Sequence, residues 1–189
     1  PRAVTTDAMA RLDVPPTFII AIGKAAAAMA QAVRDTGCTA PGIVVTHDEG
    51  FAEIDGMRCF ASAHPVPDAR GLAAGEAVIS AASELGVDDH LLLLISGGGS
   101  ALLPAPADGV TLEDKMALNA ALLASGLDIH AMNAVRRLSR GCRTAGIVEQ
   151  IPWHIVIWPH RVSCPPMGHG TFRIGIDGAF ETRDGLFVV

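Results

Sequence analysis

The sequence contains no tyrosine, two tryptophans and only two lysines in 189 residues. With 14 basic against 20 acidic side chains its net charge at pH 7 is -6. That balance argues against a nucleic-acid binder, which usually shows a basic patch. It does not exclude small anions, which acidic proteins take up at local sites. The four cysteines, Cys38, Cys59, Cys142 and Cys164, form no CxxC pair and no zinc ligand set. They read as reduced thiols, with a disulfide or redox role as the alternative. Long apolar runs are missing too. The longest uncharged stretch, Leu91 to Ala107, holds three consecutive glycines and two prolines, so it is no membrane span. Residues 1–17 lack a basic region followed by an apolar one, so no secretory signal is expected. These absences together predict a cytoplasmic protein with neither nucleic acid nor membrane as partner. They leave its oligomeric state open.

What is present is core-forming material, with half the residues hydrophobic and 18% charged. The length suits one domain, or one domain with an extra piece. Residues 1–140 carry 29 alanines and residues 141–189 carry two, while both tryptophans fall in the second part. This shift predicts a domain over 1–140 and a divergent tail over 141–189. Within the first part, Thr17–Ile22, Gly42–Thr46, Met57–Ser62 and His90–Ile95 read as strands. The run HLLLLI has no polar alternation, which is the habit of a central parallel strand buried on both faces. Lys24–Arg34, Asp68–Leu85, Thr111–Ser125 and Asp128 to about Arg140 read as helices. Asp68, Thr111 and Asp128 are their expected caps, with Asp114 completing a capping box. Alternating strands and helices predict an α/β three-layer sandwich around a mainly parallel sheet. Strand order is not legible.

Four segments could carry chemistry. In IIAIGKAAAAM a strand ends, a glycine turns, and Lys24 opens a helix. A cation is disfavoured at a helix N-terminus, so its presence suggests an anion held by ammonium and backbone N–H groups together. The alternative is a surface lysine packed on the sheet edge. The spacing is not that of a Walker A loop. In Ser96-Gly97-Gly98-Gly99-Ser100 the glycines let backbone amides form an anion nest beyond a strand's carboxyl end. A plain flexible turn is the alternative. Ser96 and Ser100 would be donors to substrate rather than nucleophiles, since no GxSxG elbow is present. In SAHPVPD two prolines stiffen a loop that holds His64 and Asp68. His64 could bind substrate, and Asp68 could act as a base or as a helix cap. Arg136, beside Arg137, could clamp a carboxylate or phosphate, or simply face solvent. The other histidines show no metal-ligand spacing, and no metal ligands are assigned.

The segments IIAIGKAAAAMA, SAHPVPD and HLLLLISGGGSALLPAPADGVTLEDKMALNAALLASGLDIHAMNAVRR resemble, in order and spacing, the N-terminal domain of the class II glycerate 2-kinases. The resemblance covers about residues 15–138. It implies a Rossmann-like domain and, in the whole enzyme, a second C-terminal domain called MOFRL that closes over the site. It implies transfer of the γ-phosphoryl of ATP, with Mg²⁺, onto the 2-hydroxyl of D-glycerate. By position it makes Lys24 and Arg136 catalytic residues. His64, Asp68, Ser96, Gly97, Gly98, Gly99 and Ser100 become substrate-binding residues. Family members often carry the name hydroxypyruvate reductase.

The family pattern continues after NAVRR with a histidine, LS and a KGG segment, whereas here Leu138-Ser139-Arg140 leads into GCRTAGIVEQ. The expectation is a shifted reading frame near codons 137–141, with a genuinely different tail domain as the rival. Two other functional readings stay open. An NAD(P)H-dependent hydroxypyruvate reductase would need a GxGxxG turn that the sequence lacks. A non-catalytic ligand-binding α/β fragment would bind glycerate without forming ADP.

Overall fold

The computed structural model describes residues 1–86, 88–104, 109–128 and 131–132, together with the backbone of 155–159 and 186–188. Four parallel strands form its centre: β1 (Phe18–Ile22), β2 (Gly42–His47), β3 (Met57–Ser62) and β4 (Leu91–Ile95). They stand in the order β3-β2-β1-β4. β5 (Ile155–Pro159) continues the sheet in parallel beside β4, and β6 (Leu186–Val188) borders it antiparallel. Among the described residues the strands are accompanied by the α-helices α1 (Arg2–Met9), α2 (Ala26–Asp35), α3 (Ala69–Ser83), the short α4 (Gly99–Leu102) and α5 (Leu112–Ala124).

The period of two along each strand sorts the core into two layers. Ile19, Ala21, Val44, Leu92 and Leu94 pack against Ala8 of α1 and Ala26, Met29, Ala30 and Val33 of α2. Ile20, Ile22, Ile43, Val45, Leu91, Leu93 and Ile95 pack against Ala74, Val78 and Ala82 of α3 and Leu102 of α4. β4 therefore needs apolar residues at every position, and all five are buried. Topology explains the two layers. The chain moves one way across the sheet from β1 to β2 and the other way from β3 to β4. Crossovers of one hand then place α2 and α3 on opposite faces. The three-layer α/β sandwich expected from the sequence is the fold observed.

Local signals survive in detail. Asp68 caps α3, its Oδ1 accepting from Gly71 N at 3.1 Å. Thr111 and Asp114 form the reciprocal capping box, with Thr111 Oγ1 accepting from Asp114 N at 3.1 Å and Asp114 Oδ2 from Thr111 N at 2.9 Å. Asp128 Oδ1 accepts from Ala131 N at 2.9 Å, so the cap expected there is made. The expected remainder of that helix, to about Arg140, lies outside the described residues.

Other expectations are corrected. Lys24 does not open a helix: it lies in the turn after β1, and α2 begins two residues later with Ala25 as N-cap. Strand β1 begins at Phe18 and β4 at Leu91, one residue inside the expected runs. Helix α1 was not legible, because its sequence RAVTTDAM mixes β-branched and polar residues that lower helix propensity. Docking of Ala8 into the core supports it instead. Among the described residues no helix is long and apolar enough to cross a membrane.

Candidate functional site

Strand order sets the location of the site. The chain leaves β1 for β2 on one side and returns to β4 on the other, so the direction of winding reverses between β1 and β4. Connections diverge there, and in open α/β sheets ligands bind at such a point, beyond the carboxyl ends of the strands. The segments flanking it are Gly23-Lys24-Ala25 after β1 and Ser96-Gly97-Gly98 after β4.

These two turns are stitched together. Lys24 N donates to Gly97 O at 2.9 Å, Ser96 N to Ile22 O at 2.8 Å, and Ala25 N to Ser96 Oγ at 2.9 Å. Ser96 Oγ also donates to Ile22 O at 3.4 Å. The hydroxyl expected to face substrate is thus used inside the protein, to join the start of α2 to the end of β4. Gly23 makes this closeness possible. Its φ is +118°, and a Cβ there would lie 2.3 Å from Ser96 Oγ and 2.5 Å from Ser96 O.

Lys24 is exposed, and among the described residues no carboxylate pairs with it. Gly98, at φ +97°, is the point on which the candidate side chains Lys24 and His64 converge. A Cβ on Gly98 would lie 3.1 Å from Lys24 Cγ, and 3.3 and 3.4 Å from His64 Cδ2 and Nε2. The lysine stem and the imidazole therefore flank the same glycine. No backbone carbonyl among the described residues accepts from the Gly97 or Gly98 amide. An exposed ammonium, an imidazole and two amides at such a point can bind a carboxylate or a phosphoryl group.

His64 reaches this point from β3 through the stiff loop His64-Pro65-Val66-Pro67, whose His64–Pro65 bond is cis. Both ends of the loop are tied. Asp68 Oδ1 accepts from Ala63 N at 3.4 Å as well as from Gly71 N. In α5, Asn119 Nδ2 donates to Pro65 O at 2.6 Å. Asn119 was not singled out from sequence, although an amide inside the apolar run KMALNAALLA was a signal. Gly99 is the first residue of α4 and is buried. Ser100 lies in α4, but its side chain is outside the described residues, as is Arg136 altogether.

Asp68 is committed to structure. Its Oδ2 accepts from Arg70 Nε at 2.6 Å, and Arg70 grips Asp48 through both Nη atoms at 2.6 and 2.9 Å. Partial burial pushes the Asp68 carboxyl up, but the bonds from Arg70, Gly71 and Ala63 outweigh it and hold the group below its ordinary 3.8. The Arg70 hydrogen bond does the same for Asp48. The folded state thus binds fewer protons than the unfolded one. The resulting stabilisation is complete above about pH 5 and disappears as pH falls through the lowered values. Thermal melts at about pH 5 and about pH 3 should differ less in Arg70→Ala than in the unsubstituted chain. An identical pH dependence in both would remove this network from acid stability.

Residues 2–148 match the family described as Domain of unknown function (DUF4147). The chain belongs to the DUF4147 family. A D-glycerate 2-kinase of Thermotoga maritima is 35% identical over 142 residues, covering 72% of this chain and 34% of that protein. A protein of Agrobacterium vitis with a provisional hydroxypyruvate reductase name is 46% identical over 133 residues, covering 69% of this chain and 34% of the relative. The solved glycerate kinase of Thermotoga maritima superposes with a TM-score of 0.68 at 30% identity, over 82% of this chain and 41% of that one. The DUF4147 chain thus spans about a third of the length of these curated relatives. The family match also runs past residue 140, where alanine becomes scarce.

Proposed function

We propose that this DUF4147 domain belongs to a glycerate 2-kinase and carries its glycerate-binding site. The observation that carries the reading is the meeting of Lys24, His64 and Gly98 at the β1/β4 switch point. In the reaction the 2-oxygen of D-glycerate bonds to the γ-phosphorus of ATP, the β,γ-bridging P–O bond breaks, ADP leaves, and the hydroxyl proton is released. Such a transfer needs positioning and positive charge more than covalent help from the protein. Lys24 would neutralise the glycerate carboxylate or the moving phosphoryl group. The Gly97 and Gly98 amides would hold an anionic oxygen, and His64 would orient the acceptor. Arg136 would add a second cation. Ser96 would act from behind, by keeping the two turns together.

Mg²⁺ normally accompanies ATP in such transfers. Among the described residues no group of three or more His, Cys, Asp or Glu could hold a metal. The carboxylates near the loop, Asp48 and Asp68, are taken by Arg70. The described residues do not fit a metal site, and no step is assigned to one. The reductase reading has less support, because the turn Gly23-Lys24-Ala25 offers one glycine and a lysine stem where a dinucleotide turn needs close backbone approach. A cytoplasmic location accords with the free Cys38 and Cys59.

The tail beginning near residue 141 belongs to the same proposal, as sequence outside the inherited domain. Translating the other two frames of the coding DNA tests it. A recovered KGG segment supports the tail reading, and its absence from both frames ends it.

The functional test is ADP release by the purified chain with Mg·ATP, with and without D-glycerate. Binding of D-glycerate is the expected result, and glycerate-dependent ADP would show that the chain holds a complete phosphoryl-transfer site. Glycerate binding without ADP would restrict the domain to acceptor binding, and neither binding nor ADP would end the kinase reading. Oxidation of NAD(P)H with hydroxypyruvate would favour the reductase instead.

A further inference from the structure

Asn119 sits in the middle of α5, among alanines and leucines. An amide there is a poor helix former and gains nothing from apolar packing. The residue is 9% exposed, so its polar atoms must be matched within the protein. Its Nδ2 donates to the Pro65 carbonyl at 2.6 Å, bridging 54 residues of sequence. The contact falls at a particular place. Asp68 already fixes the base of the loop through Ala63 N and Gly71 N. Asn119 holds its tip, at the residue joined directly to His64. The His64 ring in turn lies against Gly98, on the glycine that also meets the Lys24 stem.

We propose that Asn119 is a positioning residue: its hydrogen bond to the Pro65 carbonyl keeps the His64 ring against the glycine turn beside Lys24. Asn119 acts through the loop backbone and touches no substrate. The functional consequence rests on reading this switch point as the glycerate site, whereas the positioning of His64 does not.

Without the amide donor the Pro65 carbonyl loses this partner and the loop tip gains freedom. Loss of one buried hydrogen bond that orients a binding group should weaken D-glycerate binding about tenfold. Asn119→Ala removes side chain and donor together. Asn119→Leu keeps the volume and removes only the hydrogen bonding, so agreement between the two separates positioning from packing.

The test uses the full chain labelled with ¹⁵N-histidine, with the His64 ring signals identified by their disappearance in His64→Asn. Both Asn119 variants should shift or broaden the His64 ring signals while the other histidines keep theirs, and calorimetry should show weaker D-glycerate binding. Unchanged His64 signals in a folded variant would overturn the proposal. Should both variants fail to fold, hydrogen exchange of the Asn119 carboxamide in the unsubstituted chain decides. Exchange slowed relative to free asparagine supports the bond, and exchange at the free rate overturns it. An unsubstituted chain that does not bind D-glycerate ends the glycerate-site reading instead, and leaves the His64 signals as the measure of positioning.

Discussion

Gly23→Ala is expected to cost the domain more than about 4 kcal/mol, a large fraction of the roughly 5–15 kcal/mol that keeps a domain folded. Two effects add. The backbone φ of +118° is strained for any L side chain. The new methyl would also sit 2.3 to 2.7 Å from Ser96 Oγ, O and C, two of them atoms of the main chain. Backbone cannot step aside cheaply here, because Ser96 N is bonded to Ile22 O and Ala25 N to Ser96 Oγ. Gly37→Ala is the control. Its φ is +86° with nothing within 4 Å of the added Cβ, so it should cost only the left-handed strain, about 1–2 kcal/mol. Denaturant midpoints of the two variants check this. Equal destabilisation would mean that the close contact between the β1 and β4 turns carries no weight.

Lys24→Met should do the opposite, removing activity while sparing the fold. The side chain is exposed and has no carboxylate partner among the described residues, and methionine keeps the stem that lies against Gly98. Stability should move by no more than about 0.5 kcal/mol. In a full-length kinase carrying this domain, glycerate-dependent ADP release should fall about 10²–10³-fold, the usual loss when one group stabilising transition-state charge is removed. Rates and a melting curve measured on the same preparation separate the two effects. Unsubstituted turnover in the variant would remove Lys24 from the mechanism. Matching losses of rate and stability would make it structural.

The two substitutions concern adjacent residues that were legible to different degrees. Lys24 stood out because a lone lysine after a strand and a glycine is unusual. Its exact place was misread: KAAAAMAQAVR has high helix propensity throughout, yet the bonds to Gly97 and Ser96 hold Lys24 and Ala25 in a turn before α2. Propensity is a local average, and two tertiary hydrogen bonds outweigh it at a helix end. Ser96 shows the same limit of local reading. A serine in a glycine-rich turn offers a hydroxyl, but only the neighbouring strand decides whether solvent or Ala25 N meets it. Asp68 had two readings, base or cap, and the nearby Arg70 and backbone amides settle its use as a cap.

The sequence by itself determined the elements and their faces. The unbroken apolar runs of β1, β2 and β4 and the caps at Asp68, Thr111 and Asp128 are short-range signals, each written within a few residues. They fix a parallel sheet covered on both sides, because five consecutive apolar residues in a strand need two apolar layers. Only the tertiary structure decided which strands are neighbours, and with that where the site lies. The order β3-β2-β1-β4 depends on pairings such as Phe18 with Leu91 and Ile22 with Ile95, far apart in the chain, which no local pattern encodes. It sets the turns after β1 and β4 side by side, brings His64 from the loop after β3 onto Gly98, and lets Asn119 reach Pro65 from a helix more than 50 residues away. Convergence of this kind is a property of chain packing, in which residues distant in sequence become adjacent only after the core has set the strand order.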